Sequence, residues 1–263
     1  MGGHPPLRFE VVDHVATIVL DDPDRRNALS STMLDALGDA VRRAASDDEV
    51  RVVVLTNRGP TFCAGADLRG TGGAQPRYGL ADVLAAIQDA PKPVVGKIAG
   101  SAFGGGLGLV AACDISIASA SARFGFTEVR VGVAPAIISV VCLPKLSRAA
   151  ALELFLTGAR FDAARAVEVG LLNRAVDDGE LDAAVEALVA MLLEGAPGAQ
   201  RAAKRLVYEV PNLERDAAFA RMTERSAALF ASPEAREGMA AFRERRQPAW
   251  APEARDRAPG LER

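Results

Sequence analysis

Val94-Val95-Gly96-Lys97-Ile98 leads into Gly100-Ser101-Ala102-Phe103-Gly104-Gly105-Gly106-Leu107-Gly108, then Leu109-Val110-Ala111-Ala112 and, past Cys113-Asp114, Ile115-Ser116-Ile117-Ala118. The stretch reads as a strand buried on both faces, a glycine-rich loop opening an apolar helix, and a second buried strand. Two such strands joined through a helix imply a crossover and parallel pairing.

Upstream, residues 8–12 and 15–20 are β-rich runs separated by Asp13-His14, a hairpin signal. Asp21-Asp22-Pro23-Asp24 is a turn cluster. Ser30 or Ser31 can cap a helix carrying Met33, Leu34, Leu37 and Val41 at helical spacing, which Asp47-Asp48 breaks. Residues 52–55 form another buried strand, 56–73 a loop, and 80–89 a helix ending before Pro91. Downstream, helices are expected over 149–156, 163–169, 181–193, 198–207, 213–230 and 233–245, with no strand after Pro197. The expected architecture is an α/β core with a mainly parallel sheet over residues 1–196 and an all-helical segment over 197–263. The helix near Arg215 to Phe230 is weakly apolar among many charges, so it is expected to pack on a neighbouring subunit.

The 263 residues are 49% hydrophobic and 25% charged, enough to bury a substantial core. A net charge of −3 gives no global reason to bind nucleic acid or an anionic membrane. Cys63, Cys113 and Cys142 are too few and scattered for a disulfide framework or a zinc site, and His4 and His14 are the only histidines. No metal is expected, and a histidine-based triad is nearly excluded. The first residues lack a charged-then-apolar leader pattern, and no apolar run reaches a membrane span, so a reducing, cytoplasmic compartment is expected. The chemistry is left to carboxylates, hydroxyls and backbone groups.

Two loops qualify. Phe62-Cys63-Ala64-Gly65-Ala66-Asp67-Leu68 follows a buried strand, where α/β folds place ligand sites, and its small residues let a ligand approach the backbone. By itself it also reads as a tight strand-to-helix turn. Residues 100–108 follow another buried strand and open a helix, whose free N–H groups stabilise negative charge. These glycines fit neither the dinucleotide fingerprint nor a phosphate loop, and close helix packing is the plain alternative. Taken together, the loops can supply a two-donor pocket for a developing oxyanion, which needs a proton-transfer group beside it.

The chain resembles the crotonase (enoyl-CoA hydratase/isomerase) superfamily. The resemblance is carried by Arg26-Asn27-Ala28-Leu29, Phe62 to Leu68, Gly104-Gly105-Gly106, Cys113-Asp114-Ile115, Phe124-Gly125-Phe126-Thr127-Glu128-Val129, Leu156-Thr157-Gly158, Ala164 to Gly170-Leu171, and Glu237-Gly238-Met239-Ala240-Ala241-Phe242 with Arg245. It implies a spiral of ββα turns and a C-terminal helical segment that builds trimers, often paired into hexamers. It implies that the Ala66 and Gly105 amides form the oxyanion hole for an acyl-thioester carbonyl. Ala64 and the backbone around Arg25 and Arg26 would contact the adenine-ribose end of CoA, and Phe242 and Arg245 match a C-terminal pair that approaches CoA, often across a subunit boundary. No separate cofactor is implied, since CoA arrives as part of the substrate.

Hydratases of this family typically carry two glutamates sharing one water. The second matches Glu128, and the first falls on Gly108, which leaves space for a bulkier or carboxylated acyl group. At Ala134-Pro135-Ala136-Ile137-Ile138 the usual pattern is richer in glycine, and the two isoleucines are expected to reshape the acyl pocket. Asp67, Leu68, Gly108, Pro135 and Ile137 are therefore candidate substrate contacts, with Asp67 better suited to capping a helix. Cys63 has no histidine to activate it and reads as a small buried residue. The expected activity is enoyl-CoA hydration with Glu128 as the sole acid/base. The alternatives are Δ3-Δ2 enoyl-CoA isomerisation, a methylglutaconyl-CoA hydratase-like reaction, or a non-catalytic acyl-CoA-binding scaffold.

Overall fold

The computed structural model describes residues 5–67 and 75–252. Strands β1 (Leu7–Val12) and β2 (Val15–Leu20) form an antiparallel hairpin whose turn residues Asp13 and His14 have φ of 46° and 66°. Residues Ala16, Ile18 and Leu20 alternate into the core. Helix α1 (Ser31–Ser46) begins where Ser30 accepts a hydrogen bond from the Met33 amide, at 3.2 Å, and buries Met33, Leu34, Leu37 and Val41. Strand β3 (Val52–Asn57) is buried along its whole length, as a central parallel strand requires.

From β3 onward the chain repeats one motif. Each long strand is followed by a short strand that turns into a second sheet: β3 by β4 (Thr61–Cys63), β5 (Val94–Ile98) by β6 (Ser101–Phe103), and β7 (Ile115–Ser119) by β8 (Arg123–Gly125). Helix α2 (Leu80–Asp89) precedes β5, and α3 (Gly105–Ala112) separates β6 from β7. After β8 come a 3₁₀ turn over Thr127–Val131, α4 (Ala136–Cys142), α5 (Arg148–Thr157), β9 (Phe161–Asp162), α6 (Ala163–Glu168) and β10 (Arg174–Val176). The large sheet has the order β1-β2-β3-β5-β7-β10, all parallel except the first pair, and the small one β4-β6-β8-β9, parallel except the last. This is the ββα spiral of the crotonase fold.

The small sheet, β10 and α4 were not expected from the sequence. The three-residue strands carry too few positions to show a period. Strand β10 lies inside the stretch read as helical, and α4 inside one given no element.

Helices α7 (Leu181–Glu194), α8 (Pro197–Glu209), α9 (Arg215–Phe230) and α10 (Pro233–Glu244) complete the chain. The boundary between two compact units lies inside α7, between Val185 and Glu186, and Pro91–Pro93 belong with the C-terminal unit. Leu181 and Val185, in the first turns of α7, are buried and fall on the α/β side of that boundary. Within the C-terminal unit, Glu234 accepts from the Gly198 and Ala199 amides, capping α8, and Lys204 donates to the Lys92 carbonyl.

One buried polar side chain ties the N-terminal turn to the small sheet. Asn27, fully buried with φ 52°, accepts from the Asp22 amide at 2.8 Å and donates to the Arg58 and Thr61 carbonyls at 3.1 and 2.8 Å. Removing it leaves those groups without partners. Asn27→Ala is expected to cost about 2–4 kcal/mol, seen as a lower midpoint with unchanged slope in urea unfolding. A loss below about 0.5 kcal/mol would show that the turn is held by other contacts.

Candidate active site

Parallel β4, β6 and β8 end at a common edge. Cys63 of β4 pairs with Ala102 of β6, and Phe103 pairs with Gly125 of β8. Ala66 and Gly105 stand three residues beyond the first pair, and Glu128 three beyond Gly125. The strand register thus delivers two backbone amides and one carboxyl to one place.

Neither amide is taken by a neighbour among the described residues. In the loop after β4, Ala64 N–H donates to the Arg26 carbonyl at 3.0 Å, and the Gly65 carbonyl accepts from Leu29 N–H at 2.8 Å. Ala66 itself is exposed, and Gly105 opens α3, where amides have no intrahelical acceptor. The two loops meet closely because Gly65, at φ 89°, has no side chain: a Cβ there would stand 2.9 Å from the Phe103 carbonyl oxygen and 3.2 Å from the Gly105 nitrogen. Gly104, the residue before the helix, has φ 50° and ψ −123°, a conformation suited to glycine. Leu29 and Leu80 side chains pack against Gly105: a Cβ there would stand 2.8 Å from Leu29 Cδ1 and 3.3 Å from Leu80 Cδ2.

Glu128 sits on the 3₁₀ turn after β8, half-buried, with its carboxyl against Gly104: a Cβ at Gly104 would lie 3.2 Å from Oε1. Its Oε2 is buried and has no hydrogen-bond partner. Burial raises the Glu128 pKa above the ordinary 4.5, opposed only by a backbone hydrogen bond within the residue. Behind it lies Cys142, whose thiol is pushed up to about 12, chiefly by burial, with the Glu128 charge adding to the effect and Lys145 opposing it. Cys63, fully buried, is likewise pushed up to about 12 by burial and is no nucleophile at neutral pH.

The structure brings together Ala64, Ala66, Asp67, Gly105 and Glu128, with Arg25 and Arg26 on the turn that seats the β4 loop. Arg25 lies 4.0 Å from the Asp67 carboxylate. Leu68, and any helix capped by Asp67, lie outside the described residues. Phe242 and Arg245 belong to the C-terminal unit, at the end of α10, where Phe242 is 84% exposed and Arg245 adopts a left-handed backbone.

One expectation needs correction. Gly108 does not leave open space, because a Cβ there would lie 2.5 Å from Ile138 Cγ2, 3.1 Å from Ile138 Cβ and 3.3 Å from Leu84 Cδ1. Of the paired isoleucines, Ile138 is 2% exposed and Ile137 49% exposed. Pro135 is buried at the start of α4. The sequence held the signal for this: Ile138, Val141 and Cys142 fall on one face of a helix, and Ile137 does not. Among the described residues no group of three or more His, Cys, Asp or Glu side chains is arranged to hold a metal ion.

Two untaken backbone amides and a half-buried carboxyl thus stand together at the strand ends of a ββα spiral. Residues 10–253 match the enoyl-CoA hydratase/isomerase family, and the chain belongs to it. It is 33% identical over 255 residues to enoyl-CoA hydratase EchA19 of Mycobacterium tuberculosis, covering 93% of this chain and 96% of that one. Its structure resembles that of an enoyl-CoA hydratase from Mycobacterium smegmatis (TM-score 0.87, 35% identity, 94% of this chain and 99% of that one). It also resembles that of an enoyl-CoA hydratase from Shewanella pealeana (TM-score 0.86, 30% identity, 93% and 96%).

The raised proton affinity of Glu128 gives a stability signature. Below the ordinary carboxylate pKa the folded and unfolded chains both hold the proton. As pH rises the unfolded chain ionises first, so native stability falls until the raised native pKa is passed. Glu128→Gln, which cannot ionise, should therefore gain stability over the parent as pH increases from about 4 to about 7, read as a widening difference in Tm. A difference that stays constant with pH would show that the carboxyl is not desolvated.

Proposed function

We propose that this protein is an enoyl-CoA hydratase that adds water across an α,β-unsaturated acyl-CoA thioester, with Glu128 as its single acid/base. The observation that carries the reading is the placement of the Ala66 and Gly105 amides and the Glu128 carboxyl at the ends of three neighbouring parallel strands. Two amides donating to the thioester oxygen draw electrons from the C=C bond, making the β-carbon electrophilic and stabilising the enolate that forms. Loss of one such donor in other enzymes costs about 10²–10³-fold in turnover. Glu128 orients water toward the β-carbon, takes its proton and returns a proton to the α-carbon. The Arg25–Arg26 turn and Ala64 receive the adenine-ribose end of CoA, and Phe242 and Arg245 of a neighbouring subunit approach it.

A second reading, Δ3-Δ2 enoyl-CoA isomerisation, is favoured by the lone carboxylate, since moving a proton from C2 to C4 through the same enolate needs one base. A binding scaffold is disfavoured, because a carboxyl with a buried, unpartnered oxygen costs stability and contributes nothing to passive binding. The test follows the conjugated thioester absorbance with crotonyl-CoA, where it falls on hydration, and with a 3-enoyl-CoA, where it rises on isomerisation. Glu128→Gln should lower whichever rate is present by about 10²–10⁴-fold while binding of a saturated acyl-CoA persists. Retention of more than a tenth of the rate would remove Glu128 from the chemistry.

We further propose that the C-terminal unit assembles this chain into trimers or dimers of trimers. Phe219, Phe230 and Val207 are each more than half exposed there, and α8, α9 and α10 line an apolar cavity of about 450 Å³ with Ala203, Leu206, Met239 and Trp250. Single-domain proteins rarely leave such surface open. Light scattering at micromolar concentration should give a trimer or hexamer mass, and a monomer would refute the assembly.

A further inference from the structure

Leu29 touches both candidate donors. It pairs with Ala66 as an isolated parallel bridge, its own N–H donating to the Gly65 carbonyl at 2.8 Å, so the Ala66 N–H is not spent on the pairing. Its side chain crosses to the other loop, where Cδ1 would stand 2.8 Å from a Cβ at Gly105. Leu80 walls the same position, its Cδ2 3.3 Å from that Cβ. The start of α3 is therefore held between two leucine side chains, and both are fixed to α1. Leu29, 7% exposed, immediately precedes Ser30, the residue that caps α1. Leu80 opens α2, and just before it Arg77 and Tyr78 are fastened to the side of α1. Both of their amides donate to Asp35 Oδ1, at 2.6 and 3.2 Å. The Arg77 guanidinium and the Tyr78 hydroxyl both donate to the Asp39 carboxylate, at 2.6 and 3.2 Å. The Tyr78 ring occupies the place where Gly38 would carry a side chain: a Cβ there would stand 2.3 Å from Cδ2 and 2.7 Å from Cγ. The Arg42 guanidinium lies over the same ring, 4.1 Å from its centroid. A glycine inside a helix costs stability relative to alanine, and the seat it makes for this ring is what the cost obtains here.

We propose that α1 is the frame on which the two donors are set: Leu29 at its start and Tyr78 on its Gly38 are positioning residues that hold the Gly105 amide at a fixed separation from that of Ala66. The inference rests on the reading of those two amides as an oxyanion site. A backbone amide has no rotamer to adjust, so its direction follows its peptide plane, and the Gly105 plane moves with the start of α3. Without the Leu29 side chain one wall of Gly105 is gone. Without the Tyr78 ring in its seat, the first turn of α2 is released from α1, and Leu80 with it. Either change lets the Gly105 amide drift relative to Ala66, and a displacement of about 1 Å can cost about 10²-fold. The loss falls on a bound anion, which needs both donors, and spares an uncharged thioester, which draws on them less.

The test uses the full-length protein and needs no turnover. The probe is acetoacetyl-CoA, a thioester that gives up a C2 proton to the buffer and forms an enolate with its own near-ultraviolet absorbance. Bound to the parent protein, its enolate fraction at fixed pH should exceed that in free solution. Leu29→Ala, Tyr78→Ala and Gly38→Ala should each lower the enolate-to-keto ratio of the bound probe by about tenfold or more. The Kd for saturated butyryl-CoA should change by less than about threefold. Tyr78→Phe, which keeps the ring and loses only the hydroxyl contact to Asp39, should stay with the parent, and Leu29→Met should recover most of what Leu29→Ala loses. Alanine is the better helix former, so Gly38→Ala would raise Tm were the seat empty, and a lower Tm is the expected result. Should Leu29→Ala fail to fold, Tyr78→Ala and Gly38→Ala decide the matter by the same readout. Folded variants that keep the parent enolate ratio, even with a lowered Tm, would overturn the proposal and leave the oxyanion reading standing. A parent that does not raise the enolate fraction would overturn the oxyanion reading, and the positioning role with it.

Discussion

The Cys63 carbonyl and Cβ occupy the position where Gly106 would carry a side chain, and the site depends on that contact between main chains. Any larger residue would push the start of α3 away from β4. The separation matters because the two candidate donors are fixed groups, one in the loop after β4 and one in the first turn of α3. Backbone amides cannot reach by changing rotamer, so the geometry must be built into the fold. The fold does this with glycines at 65, 104 and 106, while every residue of α3 is buried, which holds the helix along its whole length.

Burying a helix with eight apolar or glycine residues contributes stability, and part of that stability supports an unfavourable carboxyl. Glu128 has one oxygen over Gly104 and the other without a partner. Nothing in the packing gains from this. A leucine or a glutamine at 128 would spare the desolvation of an ionisable group, which supports the role proposed for Glu128 toward a ligand.

Much of this was legible in the sequence because the long elements carry strong periods. Strands β3, β5 and β7, helices α1 and α2, and the hairpin fall where alternation, apolar runs and caps place them. The two loops proposed to supply the donors were legible too, since glycine-rich loops after buried strands are visible as letters. The small sheet escaped because three-residue strands have no period, although it is what sets the register of the site. Position 108 escaped for a different reason. A glycine in the sequence shows that a side chain is missing, and only packing shows whether the space is empty or taken. Here Ile138, thirty residues further on, takes it.

Among the described residues no cation sits beside Glu128 to hold its charge, so its proton affinity is governed by what surrounds it, and substrate becomes part of that surrounding. An acyl chain in the pocket would exclude water and favour the protonated form further. In the proposed double-bond shift, where Glu128 would take a proton from the α-carbon, the negative charge would not leave the site. It passes from a carboxyl whose Oε2 lacks a donor to a thioester oxygen facing the Ala66 and Gly105 amides. The charge moves from its worst-solvated position in the site to its best, and the missing hydrogen bond at one end supplies driving force for transfer to the other. The reverse step, returning the proton to carbon, is correspondingly harder.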